Sequence, residues 1–105
     1  MEINVNDSNF DAAVASAEVV MVDFWAPWCG PCRSLAPVVE EIASLYEGRA
    51  AVYKCNVDDC EETADKVGLR SVPTLLFYKG GERVQMLVGL QTKAKIQETL
   101  DSLLG

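Results

Sequence analysis

Val19-Val20-Met21-Val22-Asp23-Phe24-Trp25-Ala26-Pro27-Trp28-Cys29-Gly30-Pro31-Cys32 carries an apolar, β-branched run into two cysteines three positions apart. Its first seven residues read as a strand buried on both faces, as at the centre of a parallel sheet. A tight segment over residues 26–31 then gives way to a long helix reaching about Glu47. On that helix Leu35, Val38, Val39, Ile42 and Leu45 form one apolar stripe. Pro37 lies inside it, where a kink is expected, and Gly48 is placed to end it as a C-cap.

Outward from this block the pattern alternates. Residues 2–5 read as a short strand. Asp7 or Ser8 is placed to cap a helix running to about Ser16, with Phe10, Ala13, Val14 and Ala17 at helical spacing. Residues 50–57 read as a second buried strand, and Asp59 opens a short helix ending near Gly68. Residues 74–78 and 83–88 form a hairpin about Lys79-Gly80-Gly81-Glu82. Thr92 caps a last helix with Ile96, Leu100, Leu103 and Leu104 on its apolar face. The order β-α-β-α-β-α-β-β-α predicts an α/β fold in a single domain over residues 1–105. Its central mixed sheet is flanked by helices on both faces.

Half of the 105 residues are hydrophobic, 24% are charged, and the formal net charge is −7. That acidity disfavours a phosphate-binding surface, so no nucleic-acid partner is expected. The longest apolar run of the strand block is far too short for a bilayer, so no membrane partner is expected either. Met1-Glu2-Ile3-Asn4 lacks the basic start and apolar stretch of a signal peptide. The expected location is the cytoplasm, or an organelle if a leader has been removed. Four cysteines and no histidine leave disulfide, zinc or redox chemistry open, but exclude any mechanism that uses imidazole.

Cysteines three apart at a helix start lie one turn apart on one face, so their sulfurs can meet. Cys29 falls where backbone N–H groups lack partners and the helix dipole is positive, which favours its thiolate. A dipole worth about 0.3–2 kcal/mol lowers the pKa by roughly 0.2–1.5 units, and a hydrogen bond from the Cys32 thiol could add to that. Cys29 is therefore read as the nucleophile and Cys32 as the resolving thiol. Gly30 and Pro31 add little bulk beside Cys29, Pro31 fits the first helical turn, and Trp28 offers an apolar shoulder.

Asp23 is the second anomaly. A carboxylate inside an apolar strand is costly to ionise, and burial should raise its pKa above the ordinary value of about 3.9. Placed behind the cysteine pair, it could accept the Cys32 proton through water; the alternative is a solvated strand-end carboxylate. Lys54, in the next strand, is either its charge partner or a solvated edge lysine.

Residues 22–32, from Val22 to Cys32, resemble the thioredoxin active-site block. Arg70-Ser71-Val72-Pro73-Thr74-Leu75 is similar to that family's cis-proline loop, and Val88-Gly89 continues the likeness, which covers essentially the whole chain. Trp-Cys-Gly-Pro-Cys differs from the Cys-Pro-Tyr-Cys typical of glutaredoxins and the Cys-Gly-His-Cys typical of disulfide isomerases. The resemblance implies a protein-disulfide reductase that needs no cofactor or metal beyond its Cys29–Cys32 redox pair. It further implies a monomer that acts on disulfide-containing proteins and is recycled by a thioredoxin reductase. It makes Asp23 the proton-transfer aid and Pro73 a cis proline that frees the Val72 backbone to bind substrate, where the bare sequence equally allows a trans proline opening a strand. Trp25, Trp28, Gly89 and the Val72–Pro73 loop would rim a shallow apolar groove.

Cys55 alternates with apolar neighbours and reads as a small buried hydrophobe. Cys60 follows Asp58-Asp59 at a helix start, where exposure is expected; the resemblance to animal thioredoxins makes it a candidate regulatory thiol. Two rival functions remain: a zinc domain using Cys-x2-Cys with the loose Cys-x4-Cys, and a binding scaffold with incidental redox chemistry.

Overall fold

The computed structural model describes residues 3–105. Strand β2, Val19–Trp25, is the centre of a five-stranded sheet ordered β1-β3-β2-β4-β5. It lies parallel to β3 (Ala51–Asn56) and antiparallel to β4 (Thr74–Lys79). β1 (Ile3–Val5) adds in parallel at one edge, and β5 (Glu82–Val88) adds in antiparallel at the other. Residue 2, expected to begin β1, lies outside the described residues.

Alternation along β2 divides the core into two layers. Val19 and Met21 pack with Leu35, Val39 and Ile42 of α2 (Gly30–Leu45) and with Ile96 and Leu100 of α4 (Lys93–Leu104). Val20, Val22 and Phe24 pack on the other face with Phe10 of α1 (Phe10–Val14) and with Cys60, the N-cap of α3 (Glu61–Val67). Both faces of β2 are therefore covered, which is why its sequence is apolar at nearly every position. Thr92 caps α4, its side chain accepting from the Lys95 N–H at 3.1 Å.

The helix ends differ from expectation in instructive ways. α2 passes through Pro37 and stops at Leu45, with Tyr46 as its C-cap; Gly48 takes its left-handed φ of +83° beyond that end. Leu45 is exposed, because Tyr46 takes the buried place and its hydroxyl donates to Asp101 Oδ1 at 2.7 Å. α3 begins at Glu61 rather than Asp59 and ends, as expected, on a left-handed Gly68.

Neither Asp7 nor Ser8 caps α1, which is only five residues long and starts behind Asn9. Asp7 instead caps α3 from across the fold. Its carboxylate accepts from the Thr63 N–H at 2.8 Å, the Thr63 hydroxyl at 2.6 Å and the Glu62 N–H at 3.3 Å. These bonds, the Thr63 hydroxyl's foremost, hold the Asp7 carboxyl below its ordinary value. A folded pKa depressed in this way contributes stability that is present above the unfolded value and lost as pH falls through the folded one. Asp7→Ala should therefore lower the urea midpoint at neutral pH, with the gap to wild type narrowing in acid. Parallel urea titrations at the two pH values check this, and a gap independent of pH would mean the carboxylate is not the cap.

Candidate active site

β2 delivers the chain to Ala26, which is fully buried, and residues 26–29 close a turn through a Cys29 N–H to Ala26 carbonyl bond of 3.1 Å. Cys29 is the N-cap of α2, with extended φ and ψ of −98° and 112°. Its sulfur accepts the Cys32 backbone N–H at 3.2 Å. The helix start thus aims an unsatisfied donor and the positive dipole end at that sulfur. Pro31 lies in the first turn, where its missing N–H costs nothing.

Cys29 and Cys32 are joined in a disulfide, with Cα atoms 5.3 Å apart. As whole residues both are buried, Cys29 at 6% and Cys32 at 3% exposure. The two cysteines therefore differ little in exposure. Trp25, Val57 and Val72 pack against the buried cluster the two cysteines form with Ala26, while Trp28 stands 67% exposed, and Gly30 and Pro31 are exposed.

The Val72–Pro73 peptide is cis, and the Val72 carbonyl lies 3.7 Å from the Cys29 sulfur. Two bonds hold this loop. The Thr74 hydroxyl donates to the Ser71 carbonyl at 2.8 Å, and the Gly89 N–H donates to the Pro73 carbonyl at 2.9 Å. Gly89 takes a φ of +87°, a backbone conformation that glycine alone adopts without strain.

Asp23 is 1% exposed and is no solvated strand end. Register places it on the α2 side of the sheet, with Lys54 beside it on β3 and Leu75 on β4. Lys54 is half-buried, and its ammonium lies over the Trp25 ring, 4.5 Å from the centroid.

Cys60 corrects the sequence expectation. It is wholly buried, and it is bonded to Cys55 rather than free. Helix α3 turns it inward, its sulfur lying 3.4 Å from the Val5 carbonyl. Cys55 is buried as expected, but in a bond. The two cysteine pairs lie in separate clusters, so the four sulfurs do not converge on one tetrahedral site. The sequence did not single out Val57, which packs against the cluster of Ala26, Cys29 and Cys32 and donates its N–H to the Trp25 carbonyl at 2.9 Å. Its place just after an apolar strand was the available signal.

The family model for thioredoxin matches residues 2–102. The chain belongs to the thioredoxin family. Thioredoxin 1 of Nostoc is 51% identical to it over 92% of both chains. The chloroplastic M-type thioredoxin of Pisum sativum is 49% identical over 92% of this chain and 57% of its own. Among solved structures, a mutant thioredoxin from Halobacterium salinarum superposes with a TM-score of 0.92 at 38% identity, covering 99% of this chain and 92% of its own. As a thioredoxin, the chain is a thiol–disulfide oxidoreductase that reduces protein disulfides by exchange through Cys29 and Cys32. Among the described residues, no helix is long and apolar enough to cross a membrane.

Proposed function

We propose that Cys29 is the attacking thiolate and Cys32 the resolving thiol, on a single monomeric domain that a thioredoxin reductase recycles in the cytoplasm. The observation that carries the assignment is the Cys32 N–H held at 3.2 Å from the Cys29 sulfur, since a helix-start donor favours a negative sulfur. Cys29 Sγ attacks one sulfur of a substrate disulfide and expels the other as a thiolate. Cys32 then gives up its proton and attacks Cys29 Sγ, releasing the second substrate thiolate. Two electrons and two protons pass to the substrate, leaving the Cys29–Cys32 disulfide.

Asp23, buried on the α2 side of β2, takes the Cys32 proton, and Lys54 beside it supports the carboxylate. The cis Val72–Pro73 peptide leaves the Val72 backbone to pair with an extended substrate chain, with Trp28, Gly30, Pro31 and Gly89 around it. No cofactor or metal enters the cycle.

Cys32→Ser should trap the intermediate, because the first attack proceeds and the second does not. Incubated with a disulfide substrate, this variant should give a mixed disulfide that mass spectrometry maps to Cys29. An adduct mapping to Cys55 or Cys60 would move the nucleophile.

A further inference from the structure

The four cysteines separate into two pairs of different accessibility. Cys29, at the catalytic pair, retains some exposure, whereas Cys55 and Cys60 have none. We propose that Cys55–Cys60 is a structural disulfide, closed in the folded protein and shielded there from thiol exchange, which clamps the turn that carries Val57 between the two cysteine clusters.

The bond joins the penultimate residue of β3 to the N-cap of α3, with Cα atoms 6.5 Å apart and four residues between. Those four form a tight turn. The Asp59 N–H donates to the Asn56 carbonyl at 2.8 Å, and the Asp58 N–H donates to Asn56 Oδ1 at 3.0 Å. Val57, at the turn's second position, packs against both the Cys55–Cys60 cluster and the Cys29–Cys32 cluster. The cluster that holds the clamp and the one that holds the catalytic disulfide therefore share one apolar neighbour.

Exchange requires a thiolate to reach a sulfur, which full burial prevents without local opening. The bond must therefore close before or during folding. The two thiols lose two electrons and two protons to a low-molecular-weight disulfide of the glutathione class, which becomes two thiols. Any effect on catalysis rests on the exchange role assigned to Cys29 above.

The test uses the wild-type chain. Treated with dithiothreitol under native conditions and then with iodoacetamide, it should carry label at Cys29. The tryptic peptide holding Cys55 and Cys60 should remain two hydrogens lighter than its dithiol until guanidinium chloride is added with the reductant. Opening of both pairs at similar rates, or two free thiols at Cys55 and Cys60 from the outset, overturns the proposal.

Chain reduced in denaturant and refolded as a tetrathiol is then compared with chain reduced natively. Both have an open catalytic pair, and they differ only at the clamp. The Val57 amide should exchange with deuterium at least about tenfold faster in the tetrathiol, with the Met21 amide unchanged, and Cys29 alkylation should change at least threefold. Equal exchange and equal alkylation, or a tetrathiol that cannot refold, counts against a clamp. The peptide mass and the Val57 exchange do not depend on Cys29 being the nucleophile, so failure of that role would leave them standing.

Discussion

A chain carrying Cys29→Ser should reduce insulin no faster than dithiothreitol alone, a loss of at least about 10³-fold. The alcohol cannot form the anion that attacks sulfur at neutral pH. The variant should nonetheless fold, because serine is a favoured N-cap and its oxygen can accept the Cys32 N–H that the sulfur accepts now. Circular dichroism alongside the insulin assay separates the two effects. A folded, active Cys29→Ser protein would place the nucleophile on another sulfur.

Asp23→Asn should divide stability from activity. The carboxylate is 1% exposed on the central strand, where burial opposes its ionisation. The amide keeps the shape and removes the charge, so the variant should unfold at higher urea near neutral pH. It should also reduce insulin more slowly, on the order of 10²-fold, if Asp23 takes the Cys32 proton as proposed. Urea titration and the insulin assay on the two proteins check both halves. An Asn variant of wild-type activity would remove Asp23 from the proton path.

The central strand and the catalytic block were legible because their signals are local. Burial on both faces writes itself into Val19–Trp25 as an unbroken apolar run, and the strand-to-helix passage fixes where Cys29 and Cys32 stand. What escaped depends on residues distant in sequence. Asp7 looks like a cap for the helix next to it, yet its donors are on Glu62 and Thr63. Cys60 sits among acidic residues that suggest solvent, yet its direction is set by β1 and β3. The cis state of Val72–Pro73 is not legible from its neighbours alone and came from family likeness. Leu45 kept the helical period, but Tyr46 beside it took the buried place.

The reach of Asp7 also bears on the order in which the molecule is assembled. Its bonds to α3 span 55 and 56 residues. α3 itself is only seven residues long, and its own N-cap side chain makes no capping bond. A helix that short is marginal in isolation, and a contact that distant is made only after the intervening chain has closed its loop. α3 is therefore expected to form late in folding. Asp7, just past β1, holds the cap for a helix made more than fifty residues later, so α3 gains that cap only once β1 and β3 have been brought together.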